Sequence, residues 1–317
     1  MRKTTMLSLC WLLLVVAASA AYAESGQRLR IGTNVWPGYA PLYIAADHED
    51  WEDRLNARLV EYPSATEVLR AFRNRSLEAA ALTLDEVLTL QASGVPVTVI
   101  AVLDISAGGD VILAQPHIQR FQDLRGKRIG VESSALGAYM LTRALELNGM
   151  ALRDINVVHM DISAHERAFN SDQVDAVVTF EPVRTRLLNR GAREVFSSRE
   201  IPGEIVDVLV VHDDALRVAW PRLRELVAGW FRAVDFMQRE PSAAARFTAR
   251  RLQAKPEDVL AGYEGLELPD AERNTRLLSG ELQTTAMRLQ DALVEHGLLQ
   301  SSWDIRELFE AGLLPAR

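Results

Sequence analysis

Short runs rich in Val, Ile and Leu alternate with segments of helical periodicity along most of this chain, and that alternation constrains its fold more than any other feature. The runs are RLRIGTN, ARLVEY, AAALT, VTVIAVLD, DVILA, KRIGVE, INVVHM, VDAVVTF, AREVFS and VDVLVV. Many are apolar at consecutive positions rather than at every second one. That suits strands covered on both faces, as in parallel sheets. Helical segments between them open on capping boxes: Ser64-Ala65-Thr66-Glu67, Thr83-Leu84-Asp85-Glu86 and Ser163-Ala164-His165-Glu166. In each, the hydroxyl takes an orphan N–H and the Glu returns to the cap. The spacing predicts an α/β fold with doubly wound sheets. Strand content ends near residue 211, and from Pro221 the chain reads as helical, with Pro241, Pro256 and Pro269 at first turns.

The first residues set the compartment. Arg2 and Lys3 precede the apolar run MLSLCWLLLVVAASA, and Ala21-Tyr22-Ala23 supplies small residues ahead of Glu24. This is the three-part pattern of a secretory signal, residues 1–23, with cleavage expected after Ala23 and a periplasmic destination. The alternative is an uncleaved N-terminal anchor. Downstream, nothing approaches the roughly 20 apolar residues of a membrane-spanning helix. Cys10, the single cysteine, leaves with the leader, so no disulfide is expected, and a chain of this length buries enough core without one. The 35 basic residues, less Arg2 and Lys3, stand against 43 acidic ones, a formal charge of about −10. No basic stripe is present, which excludes a nucleic-acid partner.

LRIGTNVWPGYAPLYIA and KRIGVESSALGAYMLTRAL share a plan: a basic residue, a strand centred on Ile-Gly, a turn, Gly, Tyr, then a helix. They lie about a hundred residues apart. Each reads as the first βα unit of its own sheet, and some 290 residues after the leader suit two lobes.

These segments, with FQDLRGKRIGVESSALGAYMLTRALELNGM and FNSDQVDAVVTFEPVRTRLLNRGA, resemble the periplasmic solute-binding proteins of ABC importers. The resemblance is to the nitrate/sulfonate/taurine-type family that also holds thiamine-pyrimidine binders, and it covers most of the mature chain. It implies a type II periplasmic-binding fold: two α/β lobes, a cleft between them and a helical C-terminal part. Lobe one would be 27–109 plus 211–317 and lobe two 110–210. The crossings would fall at 108–114 and 203–211, with Gly108, Gly109 and Gly203 supplying backbone freedom at a hinge. The family carries Trp in many members where this chain has Phe180.

Ligands of open α/β sheets lie beyond the carboxyl ends of the strands, and four turns occupy such places. Asn34, Trp36, Gly38 and Tyr39 form the first, where the two aromatics wall in a ligand and Gly38 lets backbone approach. Thr83 and Asp85 form the second, although capping and the helix dipole explain both. Ser133, Ser134 and Gly137 form the third, a helix start with hydroxyls and free N–H groups. Thr179, Phe180 and Glu181 form the fourth. There Glu181 either accepts hydrogen bonds from an amine or caps the helix that follows. Asp110 joins them at the crossing. No Arg or Lys falls on these turns, while Asp85, Asp110, Glu132 and Glu181 do stand near strand ends. The balance points to a ligand with an amine or nitrogen heterocycle; taurine-like and pyrimidine-like compounds both qualify.

The expected function is non-catalytic capture of a small organic solute of sulfonate, amine or pyrimidine type by a monomer that delivers it to a permease in the inner membrane. One alternative is a sensory module feeding a membrane kinase or cyclase. Another is a pyrimidine-forming enzyme carrying pyridoxal phosphate, which needs a Schiff-base lysine. Lys127 and Lys255 are the candidates, and Lys127 sits at the wrong end of its strand. His48, His117, His159, His165, His212 and His296 are scattered, without metal-ligand spacing, and G-x-S-x-G is missing. No cofactor or metal is expected.

Overall fold

A computed structural model describes residues 26–132, 135–252 and 254–315. The segment expected to be a signal, Ser133 and Ser134 lie outside the described residues. The apolar runs form two mixed sheets, each flanked by helices. The first contains β1 (Leu29–Thr33), β2 (Ala57–Glu61), β3 (Ala79–Thr83), β4 (Val97–Ser106), β10 (Val206–His212) and β11 (Leu266–Glu267), in the order β11-β4-β10-β3-β1-β2. The second contains β5 (Val111–Ala114), β6 (Arg128–Val131), β7 (Asn156–His159), β8 (Ala176–Thr179) and β9 (Arg193–Ser197), in the order β7-β6-β8-β5-β9. This is a two-lobed α/β fold.

The repeated Ile-Gly unit occupies the same place in both sheets. β1 pairs in parallel with β2 and β3, and β6 pairs in parallel with β7 and β8. Even the basic residue at the head of each unit has one job. Arg30 Nε and backbone N–H both donate to Glu78 Oε2, at 3.0 and 2.8 Å. Arg128 does the same to Asp175 Oδ2, again at 3.0 and 2.8 Å. Each acid sits just before the third strand of its unit and ties that strand to the first.

The sheets are not wholly parallel, contrary to the expectation from unbroken apolar runs. β10 runs antiparallel to β3 and β4, and β5 runs antiparallel to β8 and β9. The cause is connectivity. β4 ends at Ser106, the chain crosses to the other sheet, and β5 begins at Val111. A strand entering from the side where its neighbours end must run against them. β10 repeats this on the return crossing. Both are nevertheless buried along their whole length, so burial, rather than direction, explains their composition. Gly108 and Gly203, one on each crossing, hold φ of +117° and +74°, a region other residues rarely enter.

The C-terminal part is helical except for β11, which pairs antiparallel with β4 where the sequence predicts no strand beyond about residue 211, and its long helix Asp213–Arg239 starts eight positions ahead of Pro221, which it contains. Pro241 and Pro256 do open their helices, whereas Asp270 caps the one after Pro269. Ser64 accepts from Glu67 N–H as the first capping box predicts. The third box does not form. Helix Ile162–Asn170 opens one residue before Ser163, behind Asp161. No helix among the described residues is long and apolar enough to cross a membrane.

Candidate functional site

The two sheets present their strand ends to a common cleft lined from both sides. From the first sheet come Asn34, Trp36 and Tyr39 after β1, Thr83 at the end of β3, Glu86 one turn later and Asp207 in β10. From the second come Asp110 ahead of β5, Glu132, Leu136, Gly137 and Met140 after β6, and Val178, Thr179 and Phe180 at the end of β8. Segments far apart in sequence therefore meet here because both crossings deliver strand ends to one place.

The aromatics are held in position by acids. Trp36 Nε1 donates to Asp104 Oδ2 at 3.0 Å, and the Tyr39 hydroxyl donates to Asp207 Oδ1. Across the cleft Trp36 meets Phe180 edge to face, with ring centroids 5.5 Å apart and planes at 86°, a favoured aromatic arrangement. A second bridge joins the sheets where Thr66 N–H and hydroxyl donate to Glu132 Oε1, at 3.2 and 3.1 Å. In the first sheet Asp207 lies in register between Thr83 and Asp104. A bulge between Asp207 and Val208 skips Leu103 and brings the two aspartates opposite each other.

Of the residues named from sequence, Asn34, Trp36, Tyr39, Thr83, Asp110, Gly137, Thr179 and Phe180 stand in the cleft wall. Three others are placed elsewhere. Gly38 faces Asp104, since a Cβ there would lie 1.9 Å from Asp104 Oδ2 and 2.4 Å from Trp36 Nε1. Its bare backbone is what lets the indole reach the carboxylate. Asp85 is buried in the first turn of helix Leu84–Ala92 and does not line the cleft, though its charge reaches Asp110, which does. Glu181 turns back on its own chain, accepting from Arg184 Nη1 at 3.1 Å and from Thr185 Oγ1 at 2.9 Å. It caps the following helix and borders a separate hollow beside Pro37 and Lys255. Gly38→Ala is expected to cost about 1–3 kcal/mol through overpacking and to break the Trp36–Asp104 bond. Urea unfolding and the near-ultraviolet signal of the tryptophans check this.

Sequence reading missed Glu86, Asp104 and Asp207 as parts of the site. A signal existed for two of them. Asp104 and Asp207 are lone acids within otherwise apolar strands, VTVIAVLDIS and VDVLVVH, and a charge is not buried in a strand without a reason. Glu86 looked fully explained by its capping role, and it does accept the Thr83 N–H with Oε2.

The electrostatics are one-sided. None of the wall residues is Arg, Lys or His. Burial disfavours the charged carboxylates and pushes Asp85 up to about 6, Asp110 to about 7, and Glu86 and Asp104 to about 8. Neighbouring acids add to this: Asp85 and Glu132 act on Glu86, and Asp110 acts on Asp104. Burial raises Asp207 and Glu132 as well. The lining is thus a dense patch of carboxyl groups facing an apolar wall of Trp36, Phe180, Leu136, Met140 and Val178.

Comparison with known proteins agrees with the fold. Over 220 residues the chain is 24% identical to a Brucella abortus (strain 2308) protein named as a binding protein, covering 66% of this chain and 67% of that one. Over 200 residues it is 26% identical to an Escherichia coli (strain K12) protein named as an aliphatic sulfonates-binding protein, covering 62% of each. The solved alkanesulfonate-binding protein SsuA from Xanthomonas axonopodis pv. citri, bound to MOPS, superposes with a TM-score of 0.74 at 19% identity, over 89% of this chain and 96% of that one. The model of the NMT1-like family matches residues 23–253, well over half the sequence, and this chain is therefore a member of the NMT1-like family.

Proposed function

We propose that this protein is the solute-binding component of an ABC importer, working in the periplasm after loss of residues 1–23. The lobe built on the first sheet and the lobe built on the second, with the return to the first at β10 (Val206) rather than at 211, close on one small organic solute, and the closed form docks on a membrane permease. The observation that carries this reading is the shared lining: Trp36 and Glu86 on one side face Phe180 and Asp110 on the other. A solute that touches both walls favours the closed arrangement by its differential contacts, and no bond chemistry is needed. The names of the relatives support the same role. Asn34, Trp36, Tyr39, Thr83, Asp110, Thr179 and Phe180, with Glu86 added, are the residues we assign to solute contact.

The test is capture. Mature protein, unfolded and refolded to strip any bound solute, is incubated with a small-molecule extract of periplasm, washed and analysed by native mass spectrometry. One solute per chain, lost in Phe180→Ala, is the expected result. Failure to retain any solute would reject the reading. Recovery of a kinase or cyclase rather than a permease by crosslinking of the loaded form would move it to sensing.

A further inference from the structure

Two of the relatives above are named for sulfonates, yet this cleft is lined by carboxyl groups and by no basic side chain. Most of its carboxylates have one oxygen committed to a structural donor. Asp104 Oδ2 takes the Trp36 indole, Asp207 Oδ1 the Tyr39 hydroxyl, Glu132 Oε1 Thr66, and Glu86 Oε2 the Thr83 amide. Other acceptor atoms are left over. Glu86 Oε1, Asp110 Oδ2 and Thr179 Oγ1 belong to cleft-lining residues only 1%, 3% and 1% exposed, and have no hydrogen-bond partner among the described residues. Buried acceptors left without donors are costly, and no wall residue carries a positive charge to meet them.

Resting on the binding-protein reading above, we propose that the solute is an organic cation, a protonated amine on a small apolar body, and that the site rejects sulfonates. An ammonium group brings three N–H donors and no acceptor. It is received by Glu86, Asp110 and Thr179. The apolar body lies along Trp36 and Phe180, whose ring faces also attract a cation, and against Met140. A sulfonate would bring a full negative charge beside these buried carboxyl groups, with the Thr179 hydroxyl and protonated carboxyls as its donors and no basic side chain in the wall to neutralise it. Because Glu86 stands on the helix after β3 of the first sheet, while Thr179 ends β8 of the second and Asp110 leads into its β5, the amine crosslinks the lobes with charge-assisted bonds, which exceed neutral ones in strength.

The experiment uses ligand-stripped mature protein and two sets of probes of matched skeleton: 2-phenylethylamine, 2-phenylethanesulfonate and 2-phenylethanol, then hexylamine, hexanesulfonate and hexanol. Calorimetric titration at pH 7.5 is expected to show at least one amine binding 100-fold or more tighter than its sulfonate, with the alcohol between them. Asp110→Asn and Glu86→Gln each weaken the amine at least tenfold while strengthening the sulfonate, in variants whose circular dichroism matches the parent. A sulfonate that binds as tightly as its amine overturns the proposal, as does silence from both amines. In either case, solute captured from the extract leaves the binding-protein reading intact and removes only the charge class. If extract and probes all fail, both readings fall.

Discussion

Trp36→Ala is expected to weaken solute binding by about 100-fold, equivalent to about 2.7 kcal/mol, the scale of an aromatic hot spot. One side chain serves three roles here. Its ring forms an apolar wall, its edge contact with Phe180 spans the cleft at 5.5 Å, and its N–H satisfies Asp104. Removing it opens the cleft and leaves Asp104, which is fully buried, with neither oxygen bonded. Trp36→Phe separates these roles. It keeps a ring for Phe180 but loses the donor, so affinity falls by only about tenfold while Asp104 is driven further toward its protonated form. Calorimetric titration of both variants with the solute recovered by capture makes the comparison. Equal affinities for Trp36→Ala and the parent would remove Trp36 from the site.

The second large effect is on stability. Without solute, the protein is expected to melt about 5–10 °C lower at pH 8.5 than at pH 6, at about 2–4 °C per kcal/mol for a chain somewhat smaller than this. The sign follows from the cleft acids. Their carboxyls ionise near pH 4 when unfolded but at about 6 to 8 when folded, because burial and mutual repulsion hold the protons on. Between these values the folded state binds more protons than the unfolded one, so stability declines as pH rises, until the last group ionises. Below about pH 6 other groups interfere. His165 and His212 are buried and their pKa values are lowered, so acid favours the unfolded chain. The surface pairs Glu49–Arg232 and Asp175–Arg128 hold their acids below the usual range, and their contribution is lost only as pH falls further. Asp207→Asn should raise the melting temperature at pH 8.5 and flatten the profile, because it removes a buried carboxyl whose ionisation is disfavoured by burial and by Asp104, Asp110 and Glu86. Differential scanning calorimetry across the range decides it. A melting temperature that rises from pH 6 to 8.5 would show that the carboxyl cluster does not control stability.

The two predictions concern the same trade. Packed buried acids disfavour the empty site, and the cation we propose would offset that repulsion. Stability withheld from the empty form becomes affinity for the filled one.

Much of this architecture is written in local pattern. Unbroken apolar runs mark strands wherever both faces are covered, and all ten runs became strands. The two Ile-Gly units, their basic heads and their Tyr-bearing helices announce two sheets of like construction, because a βα unit is stabilised by contacts within about 50 residues of itself, as Arg30–Glu78 and Arg128–Asp175 illustrate. The carboxyl-end rule for open sheets then puts Trp36, Tyr39, Thr83, Thr179 and Phe180 beyond strand ends, and the family resemblance implies that those ends share one cleft.

What the chain alone did not decide is where individual side chains point. Glu181 and Phe180 are adjacent, yet one caps a helix and the other walls the cleft. Asp85 and Glu86 divide in the same way, and a single residue of register separates the two outcomes. The directions of β5 and β10 follow from the crossings, and no composition records them. Asp104 and Asp207 become neighbours through a bulge between strands a hundred residues apart in sequence. A charge cluster of this kind is a sum over long-range pairings, so its members look unrelated until the sheets close. Local free energies determine which segments become strands and helices; only the closed chain determines which acids share a space.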